Sequence, residues 1–168
     1  PALDKTGADF ESGKIFLPQL ILSAGVAQEA FEVIKNHLAN GNNTPVSKGN
    51  IVVATVKGDV HDIGKNIVKV LLENYGYTVT DLGKDGEYQA VVDAIKEHDC
   101  QLVGLSALMT TTLGSMEDTI KLIKENNLNC KIMVGGAVLT PEYAEKIGAD
   151  FYSKDAKQSV DIAKQVIG

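Results

Sequence analysis

The stretch Ile51-Val52-Val53-Ala54-Thr55-Val56-Lys57-Gly58-Asp59-Val60-His61-Asp62-Ile63-Gly64-Lys65 decides how the chain is read. Residues 51–56 form a short apolar run of strand length, residues 58–64 interrupt it, and residues 65–74 are helix-like. A histidine therefore sits on a loop at the carboxyl end of a strand, with an acid two residues before it. In open α/β sheets this loop is where ligands bind. Asp59-x-His61 pairs a metal-ligating imidazole with a carboxylate that can hold one ring nitrogen and leave the other as a donor. Gly64 carries no side chain, so a bulky planar group could approach its backbone closely.

Strand and helix patterns alternate from there to the end. Strands are expected near residues 51–57, 77–82, 101–106, 130–134 and 149–152, and helices near 63–75, 87–98, 115–126, 141–147 and 156–167. Five βα units of this length predict an α/β fold: a flavodoxin-like, doubly wound, five-stranded parallel sheet of order 2-1-3-4-5. Right-handed crossovers bring the loops after strands 1, 3 and 4 to one edge. Upstream, residues 15–39 have helical period. Pro18 suits a first turn, and Leu20, Ile21, Ala24, Ala27, Phe31, Ile34 and Leu38 make one apolar stripe. Residues 40–50 are rich in turn formers and read as a linker. The chain thus divides into 1–39, a partial helical cap; 40–50, a linker; and 51–168, a Rossmann-like domain.

Composition narrows the function. Of 168 residues 44% are apolar, enough for a full core. The net charge of −6 argues against a nucleic-acid surface. No run approaches the roughly 18 apolar residues of a membrane span, and no signal-peptide pattern opens the chain, so a cytoplasmic location is expected. Cys100 and Cys130 fall near the starts of predicted strands, away from the ligand loops, as reduced structural thiols would.

The histidine loop has company. Ser106-Ala107-Leu108 comes 42 residues after Gly64, and Gly135-Gly136 comes 27 residues after Leu108, each at the end of an apolar run. Asp-x-His-x-x-Gly, Ser-x-Leu and Gly-Gly, in this order and at these separations, resemble the vitamin B12-binding signature. The alternative is a surface histidine and two turn glycines. A second resemblance lies upstream. Leu3-Asp4-Lys5-Thr6-Gly7, Phe10 and Gly13-Lys14-Ile15-Phe16-Leu17-Pro18-Gln19-Leu20 look like the second half of the four-helix cap that precedes the B12 domain in methionine synthases and related corrinoid proteins. The chain opens within what looks like the third cap helix, so the first two are expected to be absent, as in an excerpt or a processed product.

The resemblance covers essentially the whole chain. It implies a corrinoid-binding methyl carrier of cobalamin-dependent methionine synthase type. Such a module shuttles a methyl group on cobalt between methyltetrahydrofolate and homocysteine held by partner domains, and is not catalytic alone. The alternatives are a stand-alone corrinoid protein of a methanol, methylamine or aryl-ether demethylation system, or a B12 sensor or mutase module. The implied cofactor is cobalamin or a related cobamide, with methylcobalamin as its loaded form. The implied partners are methyl-donor and methyl-acceptor methyltransferase domains or proteins, with a reductive activator as a further candidate; nucleic acid and membrane are not expected. The half-cap leaves an apolar face through which two chains could pair.

Residue by residue, the resemblance makes His61 the lower axial ligand to cobalt, with Asp59 on its other ring nitrogen and Thr112 continuing the chain of hydrogen bonds where the family has serine. Thr112 could equally cap the following helix. The motif residues Gly58, Asp59, Val60, His61, Asp62, Ile63 and Gly64 would meet the cofactor. Ser106, Leu108, Gly135 and Gly136 would line the slot for its nucleotide tail, with Ser106 bonding the tail base. Thr110 and Ala156 would lie at the corrin rim, although helix packing accounts for Ala156 as well. Phe10 and Leu17 would cover the upper face with Leu20 and Ile21 behind them, or simply pack within the cap. His37 and His98 lie near helix ends and have no partner at ligand spacing. Lys57 and Lys65 flank the loop and are expected in solvent.

Overall fold

The computed structural model describes residues 2–39 and 47–168. Two helices come first, α1 (Ala2–Glu11) and α2 (Leu17–Ala39). The α/β unit follows as β1 (Asn50–Thr55), α3 (Ile63–Asn74), β2 (Thr78–Asp81), α4 (Tyr88–Glu97), β3 (Leu102–Ser106), a 3₁₀ turn (Thr110–Thr112), α5 (Leu113–Glu125), β4 (Lys131–Gly135), α6 (Pro141–Lys146), β5 (Phe151–Ser153) and α7 (Ala156–Val166). All strands are parallel, in the order β2-β1-β3-β4-β5 that the alternation predicts. Residues 40–46, most of the expected linker, lie outside the described residues, and Asn50 at its end already belongs to β1.

Alternation along the strands builds two cores. In β1, Val52 and Ala54 face one side, with Val103, Leu105, Ile132 and Val134 from the neighbouring strands, and meet α4, α5 and α6. Ile51 and Val53 face the other side with Leu102 and Met133, and meet α3 and α7. Each fully buried aliphatic side chain contributes roughly 1.5–3 kcal/mol, so both faces hold the sheet firmly. Because β1 and β3 are neighbours while α3 leads away to β2, the strand order reverses between them, and the loops after β1 and β3 lead to helices on opposite faces of the sheet.

The helical pair packs on this unit. α2 lies against both α1 and α3. Leu20 is buried, whereas Ile21, Leu22, Val26 and Val33 are exposed, so only part of the expected stripe faces inward. The side chains of Leu17, Ala24, Phe31, Ile34, His37 and Leu38 lie outside the described residues. Among the described residues, no helix is long and apolar enough to cross a membrane.

The cysteines precede β3 and β4, as expected. Both are free, with sulfur atoms 3.7 Å apart, and the Cys100 thiol donates to the Leu102 carbonyl. His98 is the C-cap of α4, and its carbonyl accepts from the Asn50 amide. Lys65 corrects an expectation: it is 4% exposed, its ammonium paired with Asp81 and donating to Asn66. The partner stands on β2, and no local pattern reveals it. Lys57 pairs with Glu87 at 2.8 Å on the surface.

Candidate functional site

The loop after β1 turns at Gly58, whose φ of +84° favours glycine. The turn delivers Asp59 inward, where it is fully buried. A buried carboxylate needs partners, and this one has five donations. Oδ1 accepts from the His61 backbone N–H at 3.0 Å and faces His61 Nδ1 at 2.8 Å. Oδ2 accepts from the backbone N–H groups of Leu108 at 2.7 Å and Met109 at 3.2 Å, and from the Thr112 hydroxyl at 3.0 Å. Burial pushes the carboxyl up, but these donations outweigh it and hold Asp59 well below the usual carboxylate range. An ionised Asp59 keeps the proton of His61 on Nδ1, which leaves Nε2 with a lone pair for a metal.

Thr112 occupies the N-cap position of α5 without capping it. Its hydroxyl is shared between Asp59 and the Met109 carbonyl. Of the two expected roles, the geometry shows the hydrogen bond to Asp59.

Beside His61 opens a cavity of about 730 Å³ between the sheet and helices α3 and α7. Its walls follow from strand register. Val53, Gly104 and Met133 are in-register partners across β1, β3 and β4 and form its floor. One pleat higher, Thr55, Ser106, Gly135 and Ser153 form a second row across four strands. The Thr55 and Ser106 hydroxyls are 3.0 Å apart, and Ser153 pairs with Ser159 of α7 at 2.8 Å. Thr55, Ser153 and Ser159 escaped the sequence reading. Each is a hydroxyl residue whose meaning comes from register or from a helix packed opposite. The only local trace was a small polar residue ending each apolar run.

Most expected residues converge here. Val60, His61, Asp62, Ile63, Gly64, Ser106, Leu108, Gly135, Gly136 and Ala156 all line the cavity. A methyl group on Gly64 would meet nothing within 4 Å, so its missing side chain keeps space open. Gly136 is different: a Cβ there would lie 1.8 Å from the Ala107 carbonyl oxygen, and its φ is +140°. It lets the loops after β3 and β4 touch.

Four of the expected residues stand outside this lining. Gly58 and Asp59 do not line the cavity: Gly58 is the turn, its N–H bound to Asp85, and Asp59 acts from behind His61. Thr110 opens the 3₁₀ turn, is exposed and does not border the cavity beside His61. Ile21 does not border it either, because α2 turns it outward at 47% exposure. Phe10 and Leu20 line a smaller apolar cavity of about 230 Å³ with Ile67, Leu71 and Val160, against α3 and α7. Gly64 and Ala156 border both cavities, so the helical pair meets the larger one along its side.

A sequence-family model for the B12 binding domain matches residues 49–161, and a second B12 binding domain model matches residues 1–35. The chain belongs to the B12 binding domain family. Dimethylamine corrinoid protein 1 of Methanosarcina acetivorans is 42% identical over 98% of this chain and 78% of its own length. A cobalamin-binding protein from Desulfitobacterium hafniense DCB-2 superposes with a TM-score of 0.85 at 34% identity, over 99% of this chain and 78% of its own. The methanol:cobalamin methyltransferase complex MtaBC from Methanosarcina barkeri matches with a TM-score of 0.87 at 32% identity, over 98% of this chain and 63% of the matched chain. The dimethylamine and methanol proteins among these favour the alternative reading over the methionine synthase one.

The cofactor of this B12-binding chain is a cobamide, and the donor set fits it. Among the described residues, no group of three or more His, Cys, Asp or Glu could hold a metal ion. A lone histidine suits a cobalt whose macrocycle brings its own equatorial nitrogens. The deep slot beside it suits a planar base.

Proposed function

We propose that the chain is a stand-alone corrinoid methyl carrier of a methylamine or methanol demethylation system. One observation carries the proposal: His61, tied through Nδ1 to a buried and ionised Asp59, stands at the mouth of a slot of about 730 Å³ with hydroxyl-bearing walls. When bound, the cobamide supplies a cobalt centre that accepts and gives up a methyl group. The chain's own residues do the rest. His61 Nε2 would hold the cobalt, Asp59 and Thr112 would fix the tautomer and orientation of its ring, and the slot would take the nucleotide tail. Residues 1–39 act as a cap and residues 51–168 as the binding domain, with Phe10 and Leu20 sealing the side of the slot against water. The partners are methyltransferase proteins, in keeping with the 42% identity to a dimethylamine corrinoid protein.

The decisive experiment loads the chain with a reduced cobamide and offers it, in turn, to purified dimethylamine, methanol and methyltetrahydrofolate methyltransferases. Methylation by an amine or methanol enzyme supports the proposal. Methylation from methyltetrahydrofolate alone, with onward transfer to homocysteine, would return the chain to the methionine synthase class. In parallel, the paramagnetic-resonance spectrum of the Co(II) form should show coupling to one histidine nitrogen, absent in His61→Ala.

A further inference from the structure

Three described residues other than glycine hold a left-handed backbone: Asp85 at φ +55°, Asp99 at +45° and Asn127 at +51°. Asp99 and Asn127 each follow the C-cap of a helix, His98 of α4 and Asn126 of α5, where this conformation is an ordinary way to end a helix. Asp85 follows no helix. It lies exposed in the loop between β2 and α4, so neither a helix end nor core packing calls for its conformation. A side chain kept at such a position points to a use for that side chain.

Two contacts show the use. Asp85 Oδ1 accepts from the backbone N–H of Gly58 at 2.7 Å, and the Asp85 N–H donates to the Asp59 carbonyl at 3.0 Å. One residue thus grips both ends of the dipeptide that delivers Asp59 inward. The next residue continues the seam, with the Gly86 N–H donating to the Thr55 carbonyl at 2.9 Å. The nearby Lys57 pairs with Glu87 at 2.8 Å, which leaves the Asp85 carboxylate to Gly58.

The loop after β3 fixes the Asp59 carboxylate, but the backbone that carries it is fixed from the loop after β2. Where Gly58 and Asp59 sit decides how Oδ1 meets His61 Nδ1, at 2.8 Å. Ligating groups work only when held within about 0.5 Å of their productive geometry. We infer that Asp85 is a positioning residue for histidine ligation of cobalt: by clamping the Gly58–Asp59 backbone it keeps Asp59 in line with the His61 ring. The inference rests on the cobamide-carrier reading above and adds a residue to its ligation machinery. Asp85 acts through the Asp59 backbone and not on the imidazole itself.

The test uses the full chain and three variants. Asp85→Gly keeps the left-handed backbone without strain and removes the carboxylate. Asp85→Ala removes the carboxylate and keeps a β-carbon. Asp85→Asn keeps an acceptor oxygen on a residue type that tolerates this conformation. Each protein is loaded with hydroxocobalamin and reduced to the Co(II) form, at a pH where the parent shows both His-on and His-off species. The paramagnetic-resonance spectrum gives their ratio through the histidine nitrogen coupling. Hydrogen exchange of the Gly58 amide is followed in the cofactor-free proteins.

In Asp85→Gly the His-on to His-off ratio should fall on the order of tenfold, as for other lost supports of a metal-bound imidazole. The Gly58 amide should exchange at least about tenfold faster. The melting temperature should stay within a few degrees, because relief of backbone strain offsets the lost hydrogen bond. Asp85→Asn should restore both the ratio and the protection. Asp85→Ala serves if the glycine variant does not fold, and should show the same two losses. A glycine or alanine variant that melts earlier or binds cobamide more weakly, yet keeps the parent's ratio in its bound fraction, has lost only a structural contact and overturns the inference. An asparagine variant as impaired as the glycine one overturns it too, since charge and not the clamp would then matter. A parent chain whose Co(II) form shows no histidine coupling overturns the ligation behind the carrier reading, and the inference falls with it.

Discussion

The Thr112 hydroxyl donates at 3.0 Å to Oδ2 of Asp59, the carboxylate whose other oxygen holds the His61 ring. The loops after β1 and β3 are thereby joined through a single buried anion, and the carboxylate that orients the His61 ring is held by residues about 50 positions away in sequence. Thr112→Val keeps the shape and removes the hydroxyl. Leu108 and Met109 still donate, so the loss is one hydrogen bond to a charged group, about 1.5–3 kcal/mol. Urea unfolding should show it, and the His-on fraction of the bound Co(II) form should fall. Thr112→Ser should restore both. A valine variant indistinguishable from the parent in both measurements would remove Thr112 from the relay.

Asp59→Asn is the harsher change. An amide presents an NH₂ group to donors on one side or the other, and both sides are occupied by backbone N–H groups. One of these is left facing a like group in a dry site, at a cost of about 1–3 kcal/mol. Histidine ligation should weaken by about 10–100-fold, as for other lost partners of metal-bound imidazoles. Spectral titration of the His-on to His-off transition against pH gives the number. An unshifted transition would falsify the assigned role.

The acid limb of stability follows from two carboxylates. Burial opposes ionisation of Asp59 and of Asp81, yet the donors around Asp59 and the Lys65 ammonium at Asp81 hold both below the ordinary range. A carboxyl depressed in the folded state contributes its stability in full above the unfolded pKa of about 3.9, and loses it as pH falls toward the folded value. These two groups should therefore leave unfolding free energy flat from pH 7 to about 5 and lower it steeply below about 4. The loss is on the order of 2–3 kcal/mol for one strongly depressed carboxylate. Urea melts at pH 7, 5 and 3 measure this, and Asp59→Asn should remove a large share of the slope.

Much of this site was legible from residues 51–64 because its signals are local. A strand-length apolar run, a turn glycine and Asp-x-His lie within 14 residues, and the 2-1-3-4-5 order follows from repeated βα units of similar length. What stayed hidden depends on register and on distant partners. Nothing near Lys65 announces Asp81 on β2. Nothing near Thr55 announces that it will face Ser106, or near Ser153 that Ser159 will close over it. The stripe in α2 was read as one face, yet Leu20 and Ile21 part ways because α3 lies on only one side of the helix.

The two glycines should separate binding from folding. Gly64→Leu enters open space within α3, at a backbone conformation any residue adopts, so the melting temperature should move by no more than a few degrees. Cobamide affinity should fall by at least about 100-fold, because the new side chain occupies the slot. Gly136→Ala should do the reverse: its Cβ would collide with the Ala107 carbonyl in a left-handed conformation that is strained by about 1–3 kcal/mol even without the collision. Calorimetric unfolding of the cofactor-free proteins distinguishes the two. A Gly64→Leu variant that binds normally would show that the slot is not where the tail goes.

The attachment of the helical pair can be tested on neighbouring residues of α2. Leu20 is 6% exposed and borders the cavity shared with Ile67, Leu71 and Val160, whereas Leu22 is 71% exposed. Leu20→Ala should cost about 2–3 kcal/mol of the free energy holding α2 against α3, the usual penalty for truncating a buried leucine. Leu22→Ala should stay within about 0.5 kcal/mol. Hydrogen exchange of amides in α2, compared with those of β1, reads the local opening directly. The Leu20 change should speed exchange in α2 by roughly 30–150-fold and leave β1 untouched, because the sheet has its own two cores. If Leu22→Ala proves the more damaging, the exposed face is covered in solution, and pairing of two chains through α2 becomes the first explanation to measure by sedimentation.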